Sequence, residues 1–184
     1  MHSRSPKRFA LAAAVIAALM ALPAQAALRR GAQAPQIVSD GALGGRDFHL
    51  DLAALLRRGP VVLYFFPKAF TSGCTAEAHA FAEASDDFAA LGATVIGMSN
   101  DDVPTLRRFS AEACRNKFAV ASASPATIRA YDVALGGSGG TAGLANRTSY
   151  VIGRDGRIAM VHSEMDWRNH VSQTLAAVRS LRRR

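Results

Sequence analysis

Six consecutive residues from Val61 to Phe66 are apolar, β-branched or aromatic, and Gly59-Pro60 and Pro67 bound the run. A strand that is apolar on both faces is buried on both, so this pattern predicts a central strand of an α/β sheet. Beyond Gly73 the period changes: Cys74, Ala78, Phe81, Ala84 and Phe88 recur at helical spacing, with Glu77, Glu83, Asp86 and Asp87 mostly between them. That is one amphipathic helix, which Gly92 stops. Ala93 to Met98 reads as the next buried strand. Asp101-Asp102-Val103-Pro104 has the residue types of a helix start, Leu106, Phe109 and Ala113 form that helix's stripe, and Cys114 lies beside the stripe near its end.

The remaining elements are shorter. Phe118 to Ala121 predicts a short strand, and Ser124-Pro125 opens a helix ending near Tyr131. Thr148 to Ile152 and Arg157 to His162 flank Gly153-Arg154-Asp155-Gly156, whose Asp-Gly signals a hairpin. Trp167, Val171, Leu175 and Val178 mark a final amphipathic helix. Upstream, Gly31 to Gly41 has no helical period and reads as an irregular or extended lead-in, Phe48-His49-Leu50 as the start of a short strand or turn, and Asp51 to Arg58 as one helical or 3₁₀ turn. Gly136 to Gly143, rich in glycine, predicts a loop; no Lys-Ser/Thr follows it as a phosphate cradle requires. Strands alternating with helices, then a hairpin and a closing helix, predict one α/β domain with a central mixed β-sheet flanked by helices.

The ends of the chain add location and charge. Arg4, Lys7 and Arg8 precede an apolar run from Phe9 to Leu22, and Ala24 and Ala26 suit cleavage after Ala26. Residues 1–26 are therefore expected to be a secretory signal peptide and 27–184 the exported domain, periplasmic or secreted, because the run is shorter than the ~20 residues of a spanning helix. Removal of that segment takes three positive charges from a formal net charge of +8. Much of the remaining excess lies at Arg179 and Arg182 to Arg184, without interleaved aromatics, and reads as a solvated tail with no nucleic-acid partner. Neither stable membrane insertion nor a bound cofactor is expected. His49, His79, His162 and His170 show no metal-ligand spacing and read as ordinary surface or partly buried histidines.

Cys74 and Cys114 are the only cysteines. In an exported domain such a pair is most often a structural staple. Cys74, however, stands where a buried strand ends, a tight loop turns and a helix begins. Amides of a first helical turn direct partial positive charge at that position and favour thiolate over thiol, which gives a second reading, a reactive cysteine.

Pro67-Lys68-Ala69-Phe70-Thr71-Ser72-Gly73-Cys74 resembles the Pro-x-x-x-Thr-x-x-Cys motif of the peroxiredoxins, and Cys74-Thr75-Ala76-Glu77 extends the match. Counterparts of Phe81, Phe88, Tyr131 to Val133 and Arg147 to Ile152 follow in the family's order, and the bacterioferritin-comigratory or peroxiredoxin Q group is most similar. The resemblance implies a thioredoxin-like sandwich and a peroxidase that uses a cysteine sulfenic acid. It makes Cys74 the peroxidatic nucleophile, Thr71 a hydrogen-bonding partner of the peroxide, Arg147 the cation beside thiolate and developing oxyanion, and Pro67 a shield against water. Glu77 either orients a neighbouring cation or is an exposed helix-surface residue. Ala69 and Ser72 replace the Asp and Pro common in the group, and His79 stands where many members carry the resolving cysteine. Cys114 is then the one candidate within the chain for closing an intramolecular disulfide, after helix ends open. The partners implied are hydrogen peroxide or a small organic hydroperoxide and an external dithiol, thioredoxin-like or glutaredoxin-like, acting on a monomer or weak dimer. The competing reading is an exported binding or structural domain with a permanent Cys74–Cys114 disulfide.

Overall fold

The computed structural model describes residues 27–136 and 143–183. The expected signal peptide and most of the glycine-rich segment lie outside those residues. Seven strands form one mixed sheet: β1 Val38–Leu43, β2 Arg46–Asp51, β3 Val61–Phe65, β4 Thr94–Ser99, β5 Ala119–Ser122, β6 Thr148–Ile152 and β7 Ile158–Ser163, in the order β2-β1-β5-β4-β3-β6-β7. β3 runs parallel to β4 and antiparallel to β6, which makes it central. Its alternation divides the core. Val61, Leu63 and Phe65 join one apolar cluster, and Val62, Tyr64 and Phe66 join the other.

Helices cover both clusters. On the first face lie α1 Leu52–Arg58, capped by the Asp51 side chain, and α5 Pro125–Ala130, capped by Ser124. The second face carries α2 Ser72–Glu83, α3 Ser85–Ala90, α4 Val103–Glu112 and α6 His170–Leu181. This is the mixed sheet between helices that the sequence predicts.

Three expectations change. The lead-in turns into a strand at Val38, because Gly44 and Gly45, both at positive φ, join β1 to β2 in a two-residue hairpin with Leu43 opposite Arg46. The helix expected through Phe88 breaks at Ala84. There the Ser85 hydroxyl donates to the Phe81 carbonyl at 3.0 Å, and the chain restarts as α3. Finally, α6 begins at His170, preceded by a 3₁₀ turn at Trp167–Asn169. The ends of the glycine-rich segment are pinned, with the Leu135 amide donating to Leu144 O at 2.8 Å.

Aromatic packing holds α2 on the sheet. Tyr64 stacks on Phe81 with centroids 4.4 Å apart, and Phe66 stacks on Phe109 at 5.3 Å. Gly97, on the neighbouring strand, makes room for the Tyr64 ring: a Cβ there would lie 2.9 Å from its Cζ and Oη. Since the stack prevents the ring from yielding, Gly97→Ala is expected to destabilise the fold by about 1–3 kcal/mol, read from the shift of the urea midpoint at unchanged slope.

Candidate active site

β3 ends at Phe65, and the loop from Pro67 to Thr71 carries the chain into α2. Asp101, just after β4, anchors that loop by accepting from the Ala69 amide and the Ser99 hydroxyl, both at 2.8 Å. Phe70 takes a left-handed conformation (φ 63°), packs edge-on against Phe109 and lies 5.1 Å from the Arg108 guanidinium. Half-buried Pro67 begins the loop. Thr71 is the N-cap residue of α2, exposed, and its side chain makes no capping bond. Its hydroxyl donates instead to Lys68 O at 3.0 Å, which leaves the oxygen lone pairs free to accept a hydrogen bond.

Cys74 occupies the first turn of α2 and is 2% exposed, not partly exposed as its expected role suggests, because the helix turns it into the second apolar cluster beside Phe66 and Ala78. Arg147 reaches it from the residue before β6, donating through Nη2 to Sγ at 3.5 Å. Each part of the guanidinium has a partner. Nε donates to Met165 O at 2.9 Å, and Nη1 pairs with Glu77 Oε2 in a buried salt bridge. Gly73 permits the approach, since a Cβ there would sit 3.3 Å from Nη2. A buried sulfur at a helix start, faced by a fixed cation, is a site in which developing negative charge meets a donor already in place.

Glu77 is fully buried, which excludes the exposed-surface reading. Its carboxyl is pushed up to about 8, burial outweighing the attraction of Arg147. The signal was present: Cys74, Glu77, Ala78 and Phe81 follow helical spacing, so Glu77 lies within the apolar stripe. His170 is likewise fully buried, beyond the surface or partly buried setting expected for it. It contacts Ser149 Oγ at 2.8 Å and Glu164 O at 3.0 Å, and its Nδ1 lies 3.6 Å from Glu77 Oε1. His170, Thr174 and Val178, all buried, share one face of α6, a spacing that pointed inward.

Cys114 follows α4, fully buried, in the same apolar cluster as Cys74. Burial raises its thiol strongly. Both cysteines are free thiols. The Tyr64 hydroxyl is raised by burial first and then by the charges of Cys114, Glu77 and Cys74, and it is buried with no hydrogen-bond partner among the described residues. Arg115 and Asn116, next after Cys114, both take left-handed conformations (φ 51° and 59°). Among the described residues no cluster of His, Cys, Asp and Glu could hold a metal ion, and no helix is long and apolar enough to cross a membrane.

Known proteins resemble this chain in sequence and in fold. Residues 31–161 match the AhpC/TSA family. The Mycobacterium tuberculosis protein carrying the peroxiredoxin designation Rv1608c is 35% identical over 132 residues, 71% of this chain and 85% of that protein. The chloroplastic peroxiredoxin Q of Populus jackii is 32% identical over 66% of this chain and 56% of its own length. Among solved structures, peroxidoxin BcpB from Mycobacterium tuberculosis superimposes with a TM-score of 0.74 at 30% identity, covering 84% of this chain and 98% of that one. The bacterioferritin comigratory protein of Xanthomonas campestris, whose structures concern alkyl peroxide reduction, gives 0.67 at 26% identity over 77% and 90%.

Proposed function

The chain belongs to the AhpC/TSA family and is a peroxiredoxin, a thiol-dependent peroxidase, and from that premise we propose that Cys74 is its peroxidatic cysteine and Cys114 its resolving one. The observation that carries the first assignment is the Arg147 guanidinium, 3.5 Å from Cys74 Sγ at the start of α2. The thiolate attacks one peroxide oxygen: an S–O bond forms, the O–O bond breaks, and the other oxygen leaves as an alcohol or water after taking a proton. Thr71 accepts from the peroxide hydroxyl, Arg147 stabilises the charge as it moves from sulfur to oxygen, and Pro67 limits water at the loop.

The sulfenic acid then condenses with the Cys114 thiol, expelling water and leaving a disulfide that a thioredoxin-like dithiol reduces. Two features support Cys114. It shares an apolar cluster with Cys74, and the consecutive left-handed residues at 115 and 116 make the end of α4 a strained place to open. A sulfur bridge requires Cα atoms within ~7 Å, so opening there or at the start of α2 is part of the step. A permanent staple is disfavoured, because it needs neither Thr71 nor Arg147.

One equivalent of hydrogen peroxide is expected to convert both thiols into one intramolecular disulfide, whereas Cys114→Ser leaves a Cys74 sulfenic acid that overoxidises. Mass spectrometry decides. Accumulation of Cys74 sulfenic or sulfinic acid in the unsubstituted protein, with Cys114 still free, removes the resolving role.

We further propose, on the charged and apolar run of sequence before Ala27, that the protein is exported, and that it acts as a monomer or weak dimer on hydrogen peroxide and small organic hydroperoxides. Ala27 and Leu28 pack against the core and the Leu28 amide donates to Tyr150 Oη at 3.1 Å, so cleavage after Ala26 keeps the packed domain whole. Sequencing the amino terminus of the exported protein tests the cleavage site.

A further inference from the structure

The end of the sheet opposite Cys74 is basic. β3 starts there at Val61, which pairs with Ile152 and Thr94, so the β6–β7 turn and the end of α3 lie at the same end. Cys74 lies beyond the other end of this five-residue strand, about 17 Å on. Two adjoining surface hollows share Gly153, Asp155 and Leu181. Exposed Arg154 and Arg182 line the hollow that includes Pro60, and exposed Arg30 and Arg157 line the other. Asp155 is the only acid lining either hollow among the described residues.

Three of these four arginines are fixed in place by carbonyl oxygens. Arg154 Nη2 donates to Arg57 O at 3.0 Å, Arg157 Nη1 to Gly31 O at 3.0 Å and Arg182 Nη1 to Ala90 O at 3.1 Å. Arg57 O and Ala90 O belong to the last turns of α1 and α3, where carbonyls lack helical partners. Arg182, expected in a solvated tail, is thereby folded back onto the domain. A carbonyl orients a guanidinium without cancelling its charge. Arg107, Arg115, Lys117, Arg147 and Arg168 are each paired with a carboxylate. Arg154, Arg157 and Arg182 have no such partner among the described residues, and the Asp155 carboxylate accepts from the Arg157 amide at 3.0 Å. A guanidinium carries five N–H donors, so donors are left on each for phosphate oxygens.

We propose that this face is a docking surface for anionic phospholipid bilayers, holding the domain at a membrane with the Cys74 end turned away from it. Two observations choose the bilayer, and the proposed export brings the chain to one. Asp155 lines both hollows, so a single small anion in either meets a carboxylate, whereas headgroups spread over a bilayer engage both arginine pairs at once. No aromatic side chain lines either hollow among the described residues, so the face lacks the stacking platforms that a single-stranded nucleic acid uses. Nothing in this surface depends on the role of Cys74.

The test is co-sedimentation of the chain from Ala27 onward, which contains the whole packed domain, with vesicles of phosphatidylcholine alone or mixed with phosphatidylglycerol. Binding is expected to the mixed vesicles only, at low salt, with release at about 0.5 M salt, where the Debye length falls below about 5 Å. Arg154→Gln and Arg182→Gln each lower the partition coefficient about fivefold and together about 25-fold, as for one and two charges lost near an anionic surface. Arg129→Gln, the same charge change on α5 outside both hollows, leaves it within about twofold. Bound protein consumes hydrogen peroxide at the rate of free protein, because the docked face lies at the other end of the sheet. Equal binding to both kinds of vesicle, or a loss in Arg129→Gln as large as in Arg154→Gln, overturns the proposal; should one of the two hollow variants fail to fold, the other still decides. So does release by inorganic phosphate at constant ionic strength, which assigns the arginines to a small anion, or tighter binding to duplex DNA, which assigns them to nucleic acid. A protein that binds the mixed vesicles and consumes no peroxide overturns the peroxidatic reading alone, and one that consumes peroxide but ignores the vesicles overturns the docking surface alone.

Discussion

Cys74→Ser is expected to reduce peroxide consumption to background, a loss on the order of 10⁴-fold or more. A hydroxyl at this position stays protonated at neutral pH and cannot supply the nucleophile that cleaves the O–O bond. The variant nevertheless keeps its fold. Arg147 Nη2 can donate to the serine oxygen as it does to sulfur, so the new hydroxyl is hydrogen-bonded and the change in stability stays within about 1 kcal/mol. Peroxide-dependent oxidation of a supplied dithiol, measured beside a denaturant melt, distinguishes lost chemistry from lost structure. Turnover at the unsubstituted rate would place the nucleophile elsewhere.

The second large effect belongs to Arg147. Arg147→Ala removes the cation facing the thiolate and the donor poised for the developing oxyanion, and the peroxide step is expected to slow by roughly 10²- to 10³-fold, as for loss of a single oxyanion donor. It also leaves Glu77 buried without its partner. Breaking such a pair costs about 3–5 kcal/mol when the orphan stays charged, but Glu77 is already pushed up to about 8 by burial and takes a proton instead, so the loss of stability falls toward the lower end. Arg147→Lys restores part of the rate and not all, because a point charge cannot serve Cys74, Glu77 and Met165 O together. Trp167, the single tryptophan, approaches Gly73 from the same side as Arg147, so its fluorescence can follow the oxidation in stopped flow. An unchanged rate in both variants would exclude Arg147 from the site.

The sequence by itself determined the frame that carries the chemistry. The run Val61 to Phe66, the breakers at either end and the helical period after Gly73 are local signals. Together they set a cysteine in the first helical turn beyond a central buried strand, which is where the structure has it. Local backbone preference and periodicity need no knowledge of what lies across the fold. The Gly44-Gly45 hairpin was also local and legible, and only its strand partners gave it weight. Tertiary structure decided everything that depends on residues distant in sequence. It brought Arg147 to Cys74 across 73 positions through the antiparallel pairing of β3 with β6, and it buried Glu77 under that guanidinium. It likewise turned His170 inward, placed Cys114 and Cys74 in one cluster, and enclosed a sulfur whose chemistry had suggested exposure. A charged residue on a helix declares its type but not its partner, and in a buried site the partner determines whether that charge is held, shared with a proton or lost.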